Sequence, residues 1–126
     1  MPNADERTPE PLLPLTPAVF NILLALADGE KHGYAIMQEI ESQTGGIMHM
    51  GPGTLYGSIQ RMLKDNLIAE AQKQAEPAHG EERRRYYRLT GFGQRVLEAE
   101  TRRLEQQVRI AHSKRIIPGF NALGGQ

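Results

Sequence analysis

Three observations predict a mainly α-helical α+β fold: a three-helix core, a two-stranded β wing and a long C-terminal helix. Between residues 16 and 66, three stretches carry apolar residues at helical spacing, and each is bounded by hydroxyl, proline, glycine or asparagine residues. Two short stretches of strand character, "LIAEAQK" and "RRYYRL", flank the ten polar residues "QAEPAHGEER". A heptad-like run of apolar residues then extends beyond residue 90. In 126 residues this amounts to one compact domain with one additional element.

The opening "MPNADERTPEPLLPL" is acidic and proline-rich, without the basic and apolar regions of a signal peptide, so residues 1–14 are expected to form a flexible arm. No apolar run approaches the roughly 20 residues of a membrane-spanning helix, and a cytoplasmic address is expected. The first helix begins at Thr16, a hydroxyl N-cap followed by Pro17 at the first helical position. It buries Val19, Ile22, Leu23 and Leu26 and stops at Asp28-Gly29. The second helix, started by His32, covers residues 33–44 with Tyr34, Ile36, Met37 and Ile40 as its apolar side and Gly45-Gly46 as its end. The following "GIMHM" is too short for a helix and is expected to pair as a brief strand.

The third helix runs from about Pro52 to Asp65, with Leu55, Ile59, Met62 and Leu63 on one face, and Asn66, tolerant of left-handed geometry, closes it. In the second wing strand, alternation sends Arg85, Tyr87 and Leu89 to one side and Arg84, Tyr86 and Arg88 to the other. The side ending in Leu89 is expected to face the core. The fourth helix starts at the N-cap Thr90 and reaches about Arg115, roughly 38 Å at 1.5 Å per residue. Leu97, Thr101, Leu104, Val108 and Ala111 form a narrow seam along it, which a second copy of the chain would cover. Three helices followed by a hairpin make a winged helix-turn-helix over residues 15–89, with a dimerisation helix at 90–117 and a flexible tail at 118–126.

Composition removes several function classes. Without cysteine there are no disulfides, thiolate metal sites or cysteine nucleophiles. His32, His49, His79 and His112 are scattered, so no metal site is expected. No nucleophile-base-orienter set and no phosphate-loop motif is present, so the chain is expected to be neither an enzyme nor a cofactor carrier. Fifteen basic residues balance fifteen acidic ones. Residues 1–80 hold five basic against ten acidic, which leaves ten basic against five acidic for residues 81–126. Positive charge is thus concentrated late, in "RRRYYR" and "SKR".

Three segments, "LTPAVFNILLALADGEKHGYAIMQEIESQTGG", "GPGTLYGSIQRMLKDNLI" and "RRRYYRLTGFGQRVL", resemble the PadR family of bacterial transcriptional regulators. The H-G-Y at 32–34, G-T-L-Y at 53–56 and Y-x-L-T-x-x-G at 87–93 occur in order and at the family's spacing, and the likeness spans about residues 15–97. It implies a homodimeric winged-helix DNA-binding protein, usually a repressor, whose C-terminal helices make the dimer. The single C-terminal helix resembles the shorter subfamily. Some relatives respond to phenolic acids or to bulky drugs near the dimer interface; the drug-stacking tryptophan of such relatives is absent here, and Asn66 stands where the family usually has glycine.

The third helix is then the recognition helix. The glycines from Gly51 to Gly53 allow close approach of a phosphate to the helix N-terminus, with its free amides and positive dipole end. Thr54, Ser58 and Gln60 are candidates for base edges or phosphates, and Gly57 leaves room for the groove. Arg61 suits a guanine O6/N7 pair or a phosphate. Tyr56 points to a phosphate or packs on a neighbouring helix, and Lys64 contacts the backbone or solvent. In the wing, Arg83, Arg84 and Arg85 would follow the DNA backbone, opposed by Glu81 and Glu82. Leu97, Leu104, Val108 and Ala111 would make the dimer. The expected partners are a double-stranded DNA operator, a second copy, and a small aromatic or apolar effector; Phe20, Phe92 and the methionines would line the effector site or simply pack the core. The competing possibility is a winged helix used for protein-protein contact without DNA, which the neutral net charge favours.

Overall fold

The computed structural model describes residues 5–71 and 85–117. A single 3-10 turn (Glu10–Leu12) leads to α1 (Pro17–Ala25), β1 (Lys31–His32), α2 (Gly33–Gln43), α3 (Pro52–Lys64), β2 (Ile68–Ala71), β3 (Tyr86–Leu89) and α4 (Gly91–Ser113). This is the winged-helix order expected from the sequence, with one change in the sheet.

The sheet has three antiparallel strands in the order β1-β3-β2, not two. The additional strand is Lys31–His32, with Lys31 opposite Tyr87 and His32 opposite Tyr86. "GIMHM" forms no strand, and Ile47 is 88% exposed there. The reason is positional: Gly29, at φ 144°, turns the chain back alongside β3, and the His32 ring meets Tyr86 edge-on with centroids 5.4 Å apart. On the other side Ile68 lies opposite Leu89 and Ala71 opposite Tyr86. As the alternation predicts, Tyr87 is buried and Leu89 packs on the core, whereas Arg88 is exposed.

Side-chain caps start three of the four helices. Thr16 Oγ1 accepts from the Val19 N–H at 3.2 Å, His32 Nδ1 from the Ala35 N–H at 3.2 Å, and Thr90 Oγ1 from the Gly93 N–H at 2.9 Å. Three helices end on a left-handed residue, Gly45, Asn66 and Arg115, at φ 64°, 62° and 63°. In each case the next amide reaches back to close the end: Gly46 to Glu41 O, Leu67 to Met62 O and Ile116 to Ala111 O. Asn66 therefore does the work of a glycine at the end of α3.

The core joins Ile22, Leu23 and Leu26 of α1 and its following turn, Ile36 and Ile40 of α2, and Leu55, Ile59 and Met62 of α3 to Phe92, Val96 and Leu97 of α4. Residue 90 therefore does not divide the packing: the first turns of α4 complete the same core. Gly93 permits this, because a Cβ there would overlap the carbonyl of Leu67.

Residues 5–14, expected to be a flexible arm, instead lie against the domain. Leu12 and Leu13 pack on the core, and the Arg7 guanidinium sits 4.1 Å from the Phe92 ring centroid. Asp5 accepts from Arg7 Nη2 at 2.7 Å and from Asn66 Nδ2 at 3.0 Å, which holds its carboxyl far below the usual range. Arg95 Nη2 donates to the Asp5 carbonyl at 2.6 Å. Further along, the Leu15 N–H donates to Glu100 Oε2 at 3.0 Å, while Arg103 holds both Glu100 oxygens, at 2.6 and 3.0 Å. The hydrogen bonds from Arg103, aided by that of Leu15, keep the buried Glu100 carboxyl below its ordinary pKa despite its desolvation. The two ion pairs, Asp5–Arg7 and Glu100–Arg103, are local in sequence, and the long-range contacts pair a charged group with an amide, a backbone group or a ring far along the chain. The expected tail at 118–126 lies outside the described residues.

Candidate nucleic-acid interface

α3 differs from the other helices at its start. Its N-cap is Gly51, which offers no side-chain hydrogen bond, and Pro52 occupies the first position. Gly51, Pro52, Gly53 and Thr54 are all exposed, so the first turn presents backbone and one hydroxyl to solvent. Leu55, Ile59 and Met62 fasten the opposite face to the core. Gln60, Arg61 and Lys64 are exposed along the helix, with Arg61 and Lys64 in the last turn.

Two residues of the expected set are placed differently. Ser58 is buried, at 1% exposure, and so is not on the face presented to solvent. It lies three residues after Leu55 and four before Met62, on the inner side of the helix, and its Oγ accepts from Arg61 Nη2 at 3.3 Å. Tyr56 is 42% exposed, but its hydroxyl rests against Gly33, where any Cβ would overlap it. The packing alternative for Tyr56 is the one the structure shows, and it ties the start of α2 to α3. Gly57 is half-buried, beside the Arg61 guanidinium.

In the wing, Arg85 is exposed and 3.4 Å from Glu70 of β2, so its charge is partly answered within the chain. Arg83 and Arg84 lie outside the described residues. Of the expected dimerisation residues, Leu97 is buried in the chain's own core, because α4 packs on α1 over its first turns. Leu104 and Ala111 are half-buried and Val108 is 39% exposed. Ile110, Ile116 and Ile117 add exposed apolar surface at this end that the heptad spacing did not single out.

Phe92 and Met62 are core residues, and Phe20, Met37, Met48 and Met50 pack against the core. Met37 and Met50 also line, with Tyr34, Gln38, Glu41 and His49, an open cleft of about 480 Å³ beside Gly51. Another open cleft, about 570 Å³, lies between Leu13, Pro14 and the Ala99, Arg102 and Arg103 face of α4. Among the described residues no group of His, Asp or Glu could hold a metal ion, and no helix is long and apolar enough to cross a membrane.

Comparison with known proteins identifies this arrangement. The model of the PadR-like family of transcriptional regulators matches residues 22–99. A transcriptional regulator of Mycobacterium tuberculosis, Rv3488, is 35% identical over 89 residues, covering 71% of this chain and 77% of that protein. An uncharacterised 37.1 kDa protein of a Streptomyces fradiae transposon is 40% identical over 79 residues; the match covers 63% of this chain but spans about a fifth of that protein's length.

Among solved structures, a PadR family regulator of Clostridium difficile superposes with a TM-score of 0.62 at 23% identity, over 76% of this chain and 95% of that one. Bacillus subtilis PadR in complex with operator DNA gives 0.58 at 20% identity, over 68% and 47%. Bordetella bronchiseptica BpsR, whose DNA binding is regulated by 6-hydroxynicotinic acid, gives 0.57 at 24% identity, over 75% and 63%. The matched segment contains α2, α3, the described strands β2 and β3 and the core turns of α4, and the chain belongs to the PadR-like family of transcriptional regulators.

Proposed function

We propose that this regulator is a homodimeric repressor that binds a double-stranded operator through α3 and is released from it by a small aromatic or apolar effector. The observation that carries the proposal is the N-terminal turn of α3: alone among the four α-helices of the described residues it starts without a side-chain cap, on exposed glycine, in the position of a winged-helix recognition helix. Gly53, Thr54 and Gly57 let the DNA backbone approach. Gln60 and Arg61 read or position, and Lys64 with Arg83, Arg84 and Arg85 supplies sequence-independent attraction. Tyr56 acts by fixing α3 against α2.

The dimer would form on Leu104, Val108 and Ala111 with Ile110, since the last half of α4 has exposed apolar residues and a length of about 35 Å for the whole helix. Val108→Asp is expected to yield monomers in sedimentation analysis. Effector release is supported by the open clefts against α2 and α4, and by the regulated DNA binding of BpsR. Footprinting of the DNA upstream of its own gene tests the whole. Two protected half-sites about 34 Å apart, or a multiple of that, are expected; one asymmetric footprint from a monomer would contradict it.

A further inference from the structure

We infer that Ser58 is a positioning residue for recognition, whose buried hydroxyl holds the Arg61 guanidinium back along α3, over Gly57, before DNA arrives. The inference rests on the proposed DNA-binding role of α3 and adds to it the device that orients its arginine. Ser58 sits among Leu55, Ile59 and Met62 on the inner side of the helix, at 1% exposure. A hydroxyl there carries a desolvation cost that an alanine would avoid, and alanine is the better helix former. Packing alone thus gives no reason for serine.

Arg61 supplies the reason. Helical side chains lean toward the N-terminus, so a residue naturally reaches the one three positions earlier. Arg61 Nη2 donates to Ser58 Oγ at 3.3 Å. The adjacent position, four residues back, is Gly57, and a Cβ built there would lie 3.9 Å from Arg61 Nη1. The guanidinium therefore lies along the helix surface beside an absent side chain, directed toward the bare first turn. One N–H of its fork is used by Ser58, and the others remain to grip a planar pair of acceptors such as guanine O6 and N7. Holding the arginine in this orientation removes conformational freedom that it would otherwise lose on binding.

The test has one arm without DNA and one with it. Nitrogen-15 relaxation of the Arg61 Nε–Hε group in the free, full chain should show an ordered side chain that Ser58→Ala loosens. An order parameter unchanged by the substitution overturns the inference. In the second arm, binding to the operator and to a scrambled duplex is compared for wild type, S58A, R61A and the double variant, each checked for native circular dichroism. S58A should weaken operator binding about tenfold, leave scrambled-duplex binding and the salt slope unchanged, and add nothing once Arg61 is alanine. An equal loss with and without Arg61 marks Ser58 as packing only and overturns the inference. Failure of wild type to prefer operator over scrambled DNA overturns the DNA-reading role itself, and the relaxation arm still decides whether Ser58 orders Arg61.

Discussion

The N-termini of α1 and α3 are built from nearly the same parts and finished differently. Both place proline at the first helical position, Pro17 and Pro52. Ahead of Pro17 stands Thr16, whose hydroxyl takes the Val19 amide; ahead of Pro52 stands Gly51, which takes none. α2 and α4 follow α1, with His32 and Thr90 as caps. A cap is worth about 1 kcal/mol to a helix end, and serine or threonine at position 51 would be an ordinary replacement. The chain secures three helix ends with side chains and leaves the fourth open. The difference leaves backbone amides open at the start of α3, which is what the proposed DNA contact requires.

Giving α3 the kind of end the others have should break the comparison most visibly. Gly51→Asp supplies a cap acceptor and a negative charge at once, so it is expected to raise stability by a few tenths of a kcal/mol while lowering operator affinity about 100-fold. Parallel thermal melts and anisotropy titrations would show the two effects moving apart; a joint loss of both would instead mean that Gly51 is needed for folding. Removing a cap elsewhere should do the reverse. Thr90→Ala loses the cap of α4 together with the 2.7 Å hydrogen bond that the hydroxyl donates to the Asn66 carbonyl, at a cost of about 2 kcal/mol in urea unfolding. Thr16→Ala loses a cap alone and should cost about 1 kcal/mol.

The buried Glu100 carboxylate gives the pH dependence. Its native pKa lies below the ordinary value of 4.5, so the stability it contributes is fully present above that value. That contribution is lost as pH falls through the lowered native pKa. Glu100→Gln should flatten the acid limb of a stability-against-pH curve, and an unchanged limb would assign it to other carboxylates such as Asp5. The smallest effect is expected at the far end of α4. Arg115 holds a left-handed conformation at φ 63°, and Arg115→Gly should stabilise by about 1 kcal/mol or less in the same unfolding measurement.

Much of this was legible in the sequence because helix ends and amphipathic faces are local. Thr16, His32, Thr90 and Asn66 do at the helix ends what their residue types announce. The third strand was not legible, since two residues carry no alternation and Lys31–His32 becomes a strand only by pairing with β3. The docking of residues 5–15 depends on partners such as Asn66, Phe92 and Glu100, far along the chain. Ser58 and Glu100 were obscured in another way. Leu55, Ser58, Ile59 and Met62, like Gly93, Val96, Leu97 and Glu100, follow the inward spacing of 0, 3, 4 and 7, so position placed both inside while their polarity suggested outside. The same spacing draws Leu97 into the chain's own core and away from the expected dimer seam.

The central claim is that the open end of α3 reads DNA. Its most direct measurement is fluorescence anisotropy of the full chain with DNA from upstream of its own gene, against a scrambled duplex, at two salt concentrations. Tighter binding to the upstream DNA, weakening with salt and lost in the Arg61→Ala variant, is the predicted result. Equal or absent binding to both duplexes at low salt would contradict it.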